Sequence, residues 1–106
     1  MKELVSDSHS VTATGFLKEA LDTINNRASQ RDSPQGERAM KATVGIFNAW
    51  TGNQITEEQG WQFMLALKMA RMTQGNYNPD DYVDLIGYSA LLAECTSGTN
   101  HEKIHQ

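Results

Sequence analysis

The order of apolar and polar positions along the chain predicts four helices and no strand. Over residues 14–27, apolar side chains recur every three or four positions, which is the spacing of one helical face. This first stripe consists of Leu17, Ala20, Leu21 and Ile24. A second helix is predicted over residues 34–50, because Ser33 is a favourable N-cap and Pro34 suits the first helical position. Its core face consists of Met40, Val44 and Phe47.

The third and fourth predicted helices have clear start signals. Thr56 and Gln59 match a capping box, in which each side chain accepts a hydrogen bond from the other residue's backbone. The third helix is predicted over residues 56–73, and because it is apolar nearly all round we expect it at the centre of a bundle. Asn78, with a proline and two acids after it, starts a fourth helix that we expect to end near residue 94. Its core face consists of Val83, Ile86, Ala90 and Leu91.

A chain of 106 residues, of which 39% are hydrophobic, fits one small domain. We predict an all-α, four-helix bundle-like domain over residues 14–95. The polar segments on either side, residues 1–13 and 96–106, are predicted to be flexible. Large apolar side chains are abundant for so short a chain, so we expect part of them to be buried in a homo-oligomer.

Composition narrows the classes of partner. The net charge of -4 argues against a general electrostatic attachment to nucleic acid. Lys68 and Arg71 interrupt the longest apolar run, so no membrane span is expected. Cys95 is the single cysteine and cannot form an internal disulfide, and no leader pattern opens the chain, so we expect a cytoplasmic protein. Because no His or Cys neighbours Cys95, we predict a buried or partly buried small hydrophobe and not a nucleophile.

Four charged residues are the main candidates for chemistry. Lys68 and Arg71 lie one turn apart on the third helix, and Asp81 and Asp84 have the same spacing on the fourth. A charge that leaves water without a partner is very costly, so charges on otherwise apolar helices need partners. We therefore expect the two cations and the two acids to converge.

Each of these features has two interpretations. Asp81 and Asp84 can bind a hard divalent cation, or they can favour the helix start and pair with the cations as a structural bridge. Lys68 and Arg71 can hold a phosphate, or they can extend their charged ends into water from the edge of the core. Tyr88, four residues after Asp84, can orient a carboxylate or a ligand, or it can be a core tyrosine.

A second cluster of cations lies in the connection before the second helix. Arg27, Arg31 and Arg38 surround Gly36 and a predicted helix N-terminus, which together have the ingredients of an anion site. A solvated, charged turn fits the same residues equally well.

The stretch over residues 16–94 resembles a family of small bacteriophage and prophage proteins related to the all-α nucleotide pyrophosphohydrolases of the MazG type. The resemblance is carried by an ordered series of segments, which are Leu17-Lys-Glu-Ala20, Asn26-Arg27, Arg31-Asp-Ser-Pro-Gln-Gly36-Glu37, Phe47-Asn48, Gly52, Leu67-Lys68-Met-Ala-Arg71 and Asp81-Tyr-Val-Asp84-Leu-Ile-Gly-Tyr88-Ser-Ala-Leu. The Lys-x-x-Arg helix followed by Asp-x-x-Asp-x-x-x-Tyr is its most distinctive part.

The resemblance implies a bundle that usually dimerises and a Mg²⁺-dependent site that cleaves a (deoxy)nucleoside triphosphate into its monophosphate and pyrophosphate. By resemblance, Asp81 and Asp84 match one of two acidic metal-binding segments. Glu37, or Glu94 further along the fourth helix, is a candidate for a further ligand. The catalytic set would be these two aspartates and Lys68. The phosphates would be contacted by Lys68, Arg71, Tyr88, Arg31 and Arg38.

Two alternatives follow from one departure from that family. Where the first acidic segment is expected, this chain carries Lys68 and Arg71. One alternative is a non-catalytic phage protein on the same fold that binds a nucleotide or a host protein in the host cytoplasm. The other is that the four charges form only a structural network in a helical oligomer.

Overall fold

The structure is a computed structural model that describes residues 12–30 and 39–105, with side chains described over 12–26 and 39–98. These residues form four helices and no strand, which confirms the all-α prediction. The helices are α1 (Ala13–Gln30), α2 (Ala39–Thr51), α3 (Glu57–Met72) and α4 (Pro79–His105).

Side-chain caps start α3 and α4 where the sequence indicates. At α3 the Thr56 hydroxyl accepts from the Gln59 N–H at 3.1 Å, and the Gln59 side chain accepts from the Thr56 N–H at 2.9 Å. The predicted capping box is therefore confirmed. At α4 the Asn78 side chain accepts from the Asp80 N–H at 3.0 Å. The predicted start of α2 at Ser33 and Pro34 lies outside the described residues.

The helix ends agree with the sequence at two places and differ at one. Gly52 and Gly75 follow α2 and α3 with φ of 74° and 71°, a backbone conformation that glycine adopts without steric cost. The prediction that α4 ends near residue 94 is wrong, because the helix continues to His105 across the predicted domain boundary. Extending an existing helix gains one hydrogen bond per residue, and no proline interrupts this polar segment.

The helices pack in the order α1, α4, α3, α2. α4 contacts α1 and α3, and α3 also contacts α2. The predicted central position of α3 is thus shared with α4. Residues from α2, α3 and α4 form the main core cluster, which consists of Met40, Val44, Trp61 and Leu91.

A glycine allows α2 and α3 to approach closely. A Cβ placed on Gly60 would lie 2.5 Å from Met40 Sδ and 2.8 Å from Val44 Cγ2. Real Cβ atoms do not come so near to neighbouring heavy atoms, so the α2 side chains pack directly on the α3 backbone at this point.

The described helices leave much apolar surface uncovered. Ala20 is buried as predicted, but Leu17 and Leu21 of the same stripe are each 57% exposed, because α1 is covered along one narrow face by α4. Phe47, predicted in the core, is 40% exposed. The exposed large apolar residues are Leu17, Leu21, Ile46, Phe47, Trp50, Phe63, Leu67, Met69, Tyr77 and Tyr82. Within the described ranges, no helix has the length and apolar character needed to cross a membrane.

Candidate functional site

Two ion pairs join the last turns of α3 to the first turns of α4. Lys68 Nζ lies 2.8 Å from Asp84 Oδ2, and Arg71 Nε lies 3.5 Å from Asp81 Oδ1. The one-turn spacing puts the two cations on one side of α3 and the two aspartates on one side of α4. Where the helices pack together, each cation therefore faces an aspartate. The structure therefore brings together the four charged residues that the sequence singles out.

Three of the four charged side chains are largely removed from water. The exposed fractions are 10% for Lys68, 20% for Asp84 and 8% for Asp81, whereas Arg71 is 54% exposed. A buried charge is tolerated only when it is paired and hydrogen-bonded. Asp81 also lies in the first turn of α4, where the positive end of the helix dipole favours a carboxylate. The cluster has two positive and two negative charges, so its net charge is zero.

The described residues of this cluster do not fit a Mg²⁺ ion. Asp81 and Asp84 each already have a cation as partner, and Mg²⁺ needs oxygen ligands in octahedral geometry. Across the described side chains, no group of three His, Cys, Asp or Glu residues is arranged to hold a metal. Glu37, the further ligand suggested by resemblance, lies outside the described residues.

Tyr88 lies beside the charge cluster but packs into the core. Its ring contacts Trp61 at a centroid distance of 5.7 Å and a tilt of 39°. With Asp84 and Gly87 it lines a cavity of about 20 Å³ between α1 and α4, which has room for about one water molecule. This placement favours the interpretation as a core tyrosine.

The predicted anion site lies outside the residues whose side chains the structure describes. Arg31, Arg38 and Gly36 lie outside the described residues, as does the side chain of Arg27. Their proposed contacts with phosphate stay predictions.

Two apolar grooves were missed by the sequence analysis. The α2/α3 groove has a volume of about 550 Å³ and is lined by Phe47, Phe63 and residues of the core cluster. The α1/α4 groove has a volume of about 620 Å³ and is lined by Phe16, Tyr77 and Tyr82 among others. The sequence did contain a signal for such grooves. Helices such as α3 carry apolar residues on more than one face, and one neighbouring helix cannot cover all of them.

Cys95 is partly buried against the core cluster, as the sequence predicts. Burial raises the pKa of its thiol above the ordinary value, and the carboxylates of Glu57, Glu58 and Glu94 raise it further. A raised pKa keeps the thiol protonated at neutral pH, and the thiolate is the reactive form. Cys95 therefore has the character of a small hydrophobe.

One family model matches the chain. Its description is "Domain of unknown function (DUF6378)", and the match covers residues 15–96, which include all of α2 and α3 and most of α1. A search of curated proteins and a search of solved structures found no match.

Proposed function

We propose that this chain, which belongs to the DUF6378 family, is a non-catalytic phage protein with a MazG-like helical fold that binds a host protein in the host cytoplasm and forms homo-oligomers. The observation that carries the proposal is that Asp81 and Asp84 of α4 are each held by a cation from α3. Such pairing leaves no carboxylate of the described cluster available for a metal ion.

The pairing accounts for the departure from the MazG pattern. In the hydrolases that the chain resembles, acids from two helices share Mg²⁺. At the place of the first acidic segment this chain has Lys68 and Arg71, whose two positive charges supply the charge of a divalent ion. The ammonium and guanidinium groups thus satisfy Asp81 and Asp84 without metal, and the helix pair is joined by the same four residues.

The uncharged lining of the two grooves favours a protein partner over a nucleotide. The described residues lining the α2/α3 groove and the α1/α4 groove carry no charge. A triphosphate needs several cationic or backbone N–H donors, whereas an apolar protein segment needs an uncharged groove. Within the charge cluster only Arg71 is more than half exposed.

A turnover assay tests the absence of catalysis. A panel of ribo- and deoxyribonucleoside triphosphates is incubated with the protein and Mg²⁺, and pyrophosphate release is measured. We expect no release, and no heat of nucleotide binding in calorimetry with or without Mg²⁺. Release that is lost in Asp84→Asn, while circular dichroism shows that this variant is folded, would contradict the proposal.

Partner binding is tested with purified components. Proteins that co-purify from the host are identified, produced separately and titrated into the full chain by calorimetry. We expect saturable binding of at least one of them. If every candidate fails to bind when purified, the host-binding proposal is refuted.

A second candidate function is the Mg²⁺-dependent pyrophosphohydrolase itself, acting on a (deoxy)nucleotide. It is favoured by the convergence of Lys68, Arg71, Asp81 and Asp84 at the place where the resemblance puts the active site. In this function Lys68 must leave Asp84 before phosphate can bind, and Glu37, Arg31 and Arg38 must come to the site. Nucleotide binding that requires Mg²⁺ in calorimetry distinguishes this candidate from the first.

A further inference from the structure

We propose that the α2/α3 groove is the contact surface for a second copy of this chain, with Trp50 of each copy seated in the groove of the other. The inference deepens the homo-oligomer part of the proposed function and rests on it. What it adds is the surface, its central residue and a two-fold arrangement.

The groove has the shape of a receptor for apolar side chains. Its floor consists of Met40 and Val44, which pack on the backbone of Gly60, and Phe47 and Phe63 form parts of its walls. A volume of about 550 Å³ lies within the range of ~300–1,000 Å³ that binding pockets for organic groups span.

A protruding aromatic side chain lies next to the groove. Trp50 is 81% exposed and follows Phe47 by three residues, so the two lie on neighbouring positions of the α2 surface. An exposed tryptophan on a surface helix is costly in water, and tryptophan is enriched among the central residues that contribute most to binding at interfaces.

The exposed area agrees with what a dimer needs. A fully exposed aromatic side chain offers ~150–250 Å², so the exposed fractions of Trp50, Phe63 and Phe47 amount to roughly 400 Å² of apolar surface. A standard interface buries about 800 Å² on each partner, and its fully buried part is about 65% apolar. These three residues therefore supply most of the apolar part of one such surface, and Ile46 and Leu67 add to it.

Charge and symmetry favour a second copy as the occupant. The chain carries a net charge of -4, and a contact surface without charge avoids placing like charges of two copies opposite each other. The described residues that line the α2/α3 groove are uncharged. Each copy carries both the protruding Trp50 and the groove, so two copies related by a two-fold axis make both contacts at once.

The α1/α4 groove is less suited to this contact. Its aromatic rings contact one another, with Phe16 and Tyr82 at a centroid distance of 6.4 Å and Tyr77 and Tyr82 at 5.7 Å. This groove supplies the control position for the experiment.

Sedimentation equilibrium of the full chain tests the proposal, from nanomolar to high micromolar concentration. Trp50→Lys and Phe63→Lys place a charge on the proposed contact, and Leu17→Lys places the same charge on a leucine of the α1/α4 groove that is 57% exposed. We expect a dimer that the first two changes weaken by roughly 30-fold or more, as loss of a central aromatic residue does. Leu17→Lys should change the dissociation constant by less than about threefold.

Quenching of tryptophan fluorescence gives an independent measurement in the unmodified protein. Trp61 is buried within one chain and Trp50 is not. We expect acrylamide to quench Trp50 freely at low concentration of protein and poorly at high concentration. Circular dichroism of each variant is the folding control. We expect every variant to keep its helices, because the substituted side chains are largely exposed.

The outcomes separate this inference from the proposed function. A chain that stays monomeric at high micromolar concentration overturns the inference, as does a dimer that withstands both lysine changes or one that Leu17→Lys dissociates. If the chain is monomeric but binds a purified host protein, the inference fails and the binding role stands. If Trp50→Lys dissociates the dimer and pyrophosphate is released from a nucleotide, the inference stands and the non-catalytic role fails.

Discussion

Replacing Lys68 with methionine is the sharpest test of the charge cluster. Methionine keeps the apolar stem of the side chain and removes the ammonium group, whose Nζ lies 2.8 Å from Asp84 Oδ2. Asp84 would then be a carboxylate that is 20% exposed and has lost its partner from α3. Since α3 and α4 form the most extensive helix contact, the cost should be seen in global unfolding.

The burial of the pair sets the expected magnitude. Breaking a fully buried ion pair costs about 3–5 kcal/mol, and an exposed pair contributes about 0–1 kcal/mol. Lys68 is 10% exposed and water reaches part of Asp84, so we expect Lys68→Met to lower the free energy of unfolding by about 2–3 kcal/mol. For a domain of this size, that corresponds to a fall in Tm of roughly 10–20 °C.

Urea unfolding followed by circular dichroism measures the change, and the chain supplies a matched control. Lys18 and Asp22 form an exposed pair on α1, with 4.0 Å between Nζ and Oδ2 and exposed fractions of 59% and 63%. Lys18→Met should therefore cost less than about 0.5 kcal/mol. If Lys68→Met costs no more than Lys18→Met, the two helices are not held by this pair.

A double substitution separates the charge from the packing. Replacing both partners, as Lys68→Met with Asp84→Leu, removes the unpaired charge and should recover about 2 kcal/mol relative to the sum of the single changes. Strict additivity of the two single changes would show that the Lys68 ammonium and the Asp84 carboxylate do not stabilise each other, and the proposed replacement of a metal ion by cations would lose its basis.

Two further predictions concern the α2 and α3 contact and the thiol of α4. In urea unfolding, Gly60→Ala should be less stable than the control Gly45→Ala by about 1–3 kcal/mol. Both changes gain helix propensity, but only the methyl group at Gly60 meets Met40 and Val44. Equal stabilities of the two variants would refute the close approach of α2 and α3. Native Cys95 should react with iodoacetamide more slowly at pH 8 than the urea-unfolded chain, since its raised pKa leaves less thiolate. Glu57→Gln with Glu58→Gln should lower that pKa and speed the native reaction without changing the unfolded rate, and no effect on the native rate would exclude these carboxylates as a cause.

Local signals in the sequence were enough to predict the helices. The capping box of Thr56 and Gln59 and the cap at Asn78 depend on hydrogen bonds within a few residues, so they can be recognised without knowledge of the fold. The C-terminal end of α4 was missed for the same reason. Its last residues are polar and carry no apolar stripe, so helical spacing is not visible there although the backbone continues as a helix.

The candidate site was predicted in part. Lys68, Arg71, Asp81 and Asp84 could be singled out because charges on apolar helices need partners, and the spacing fixed which side of each helix they occupy. Which cation meets which acid depends on the relative position of α3 and α4 along their axes. That position follows from packing between helices, and no spacing within one helix contains it.

The sequence by itself determined that the described residues are helical, where α3 and α4 begin and which charged residues lie together on a helix face, because these properties depend on neighbours a few positions away. Only the tertiary structure decided that the charges of α3 and α4 satisfy each other, and that Leu17 and Phe47 stay exposed although each belongs to a predicted apolar face. An apolar stripe shows that a surface avoids water, and its burial depends on whether another helix, or another molecule, lies against it.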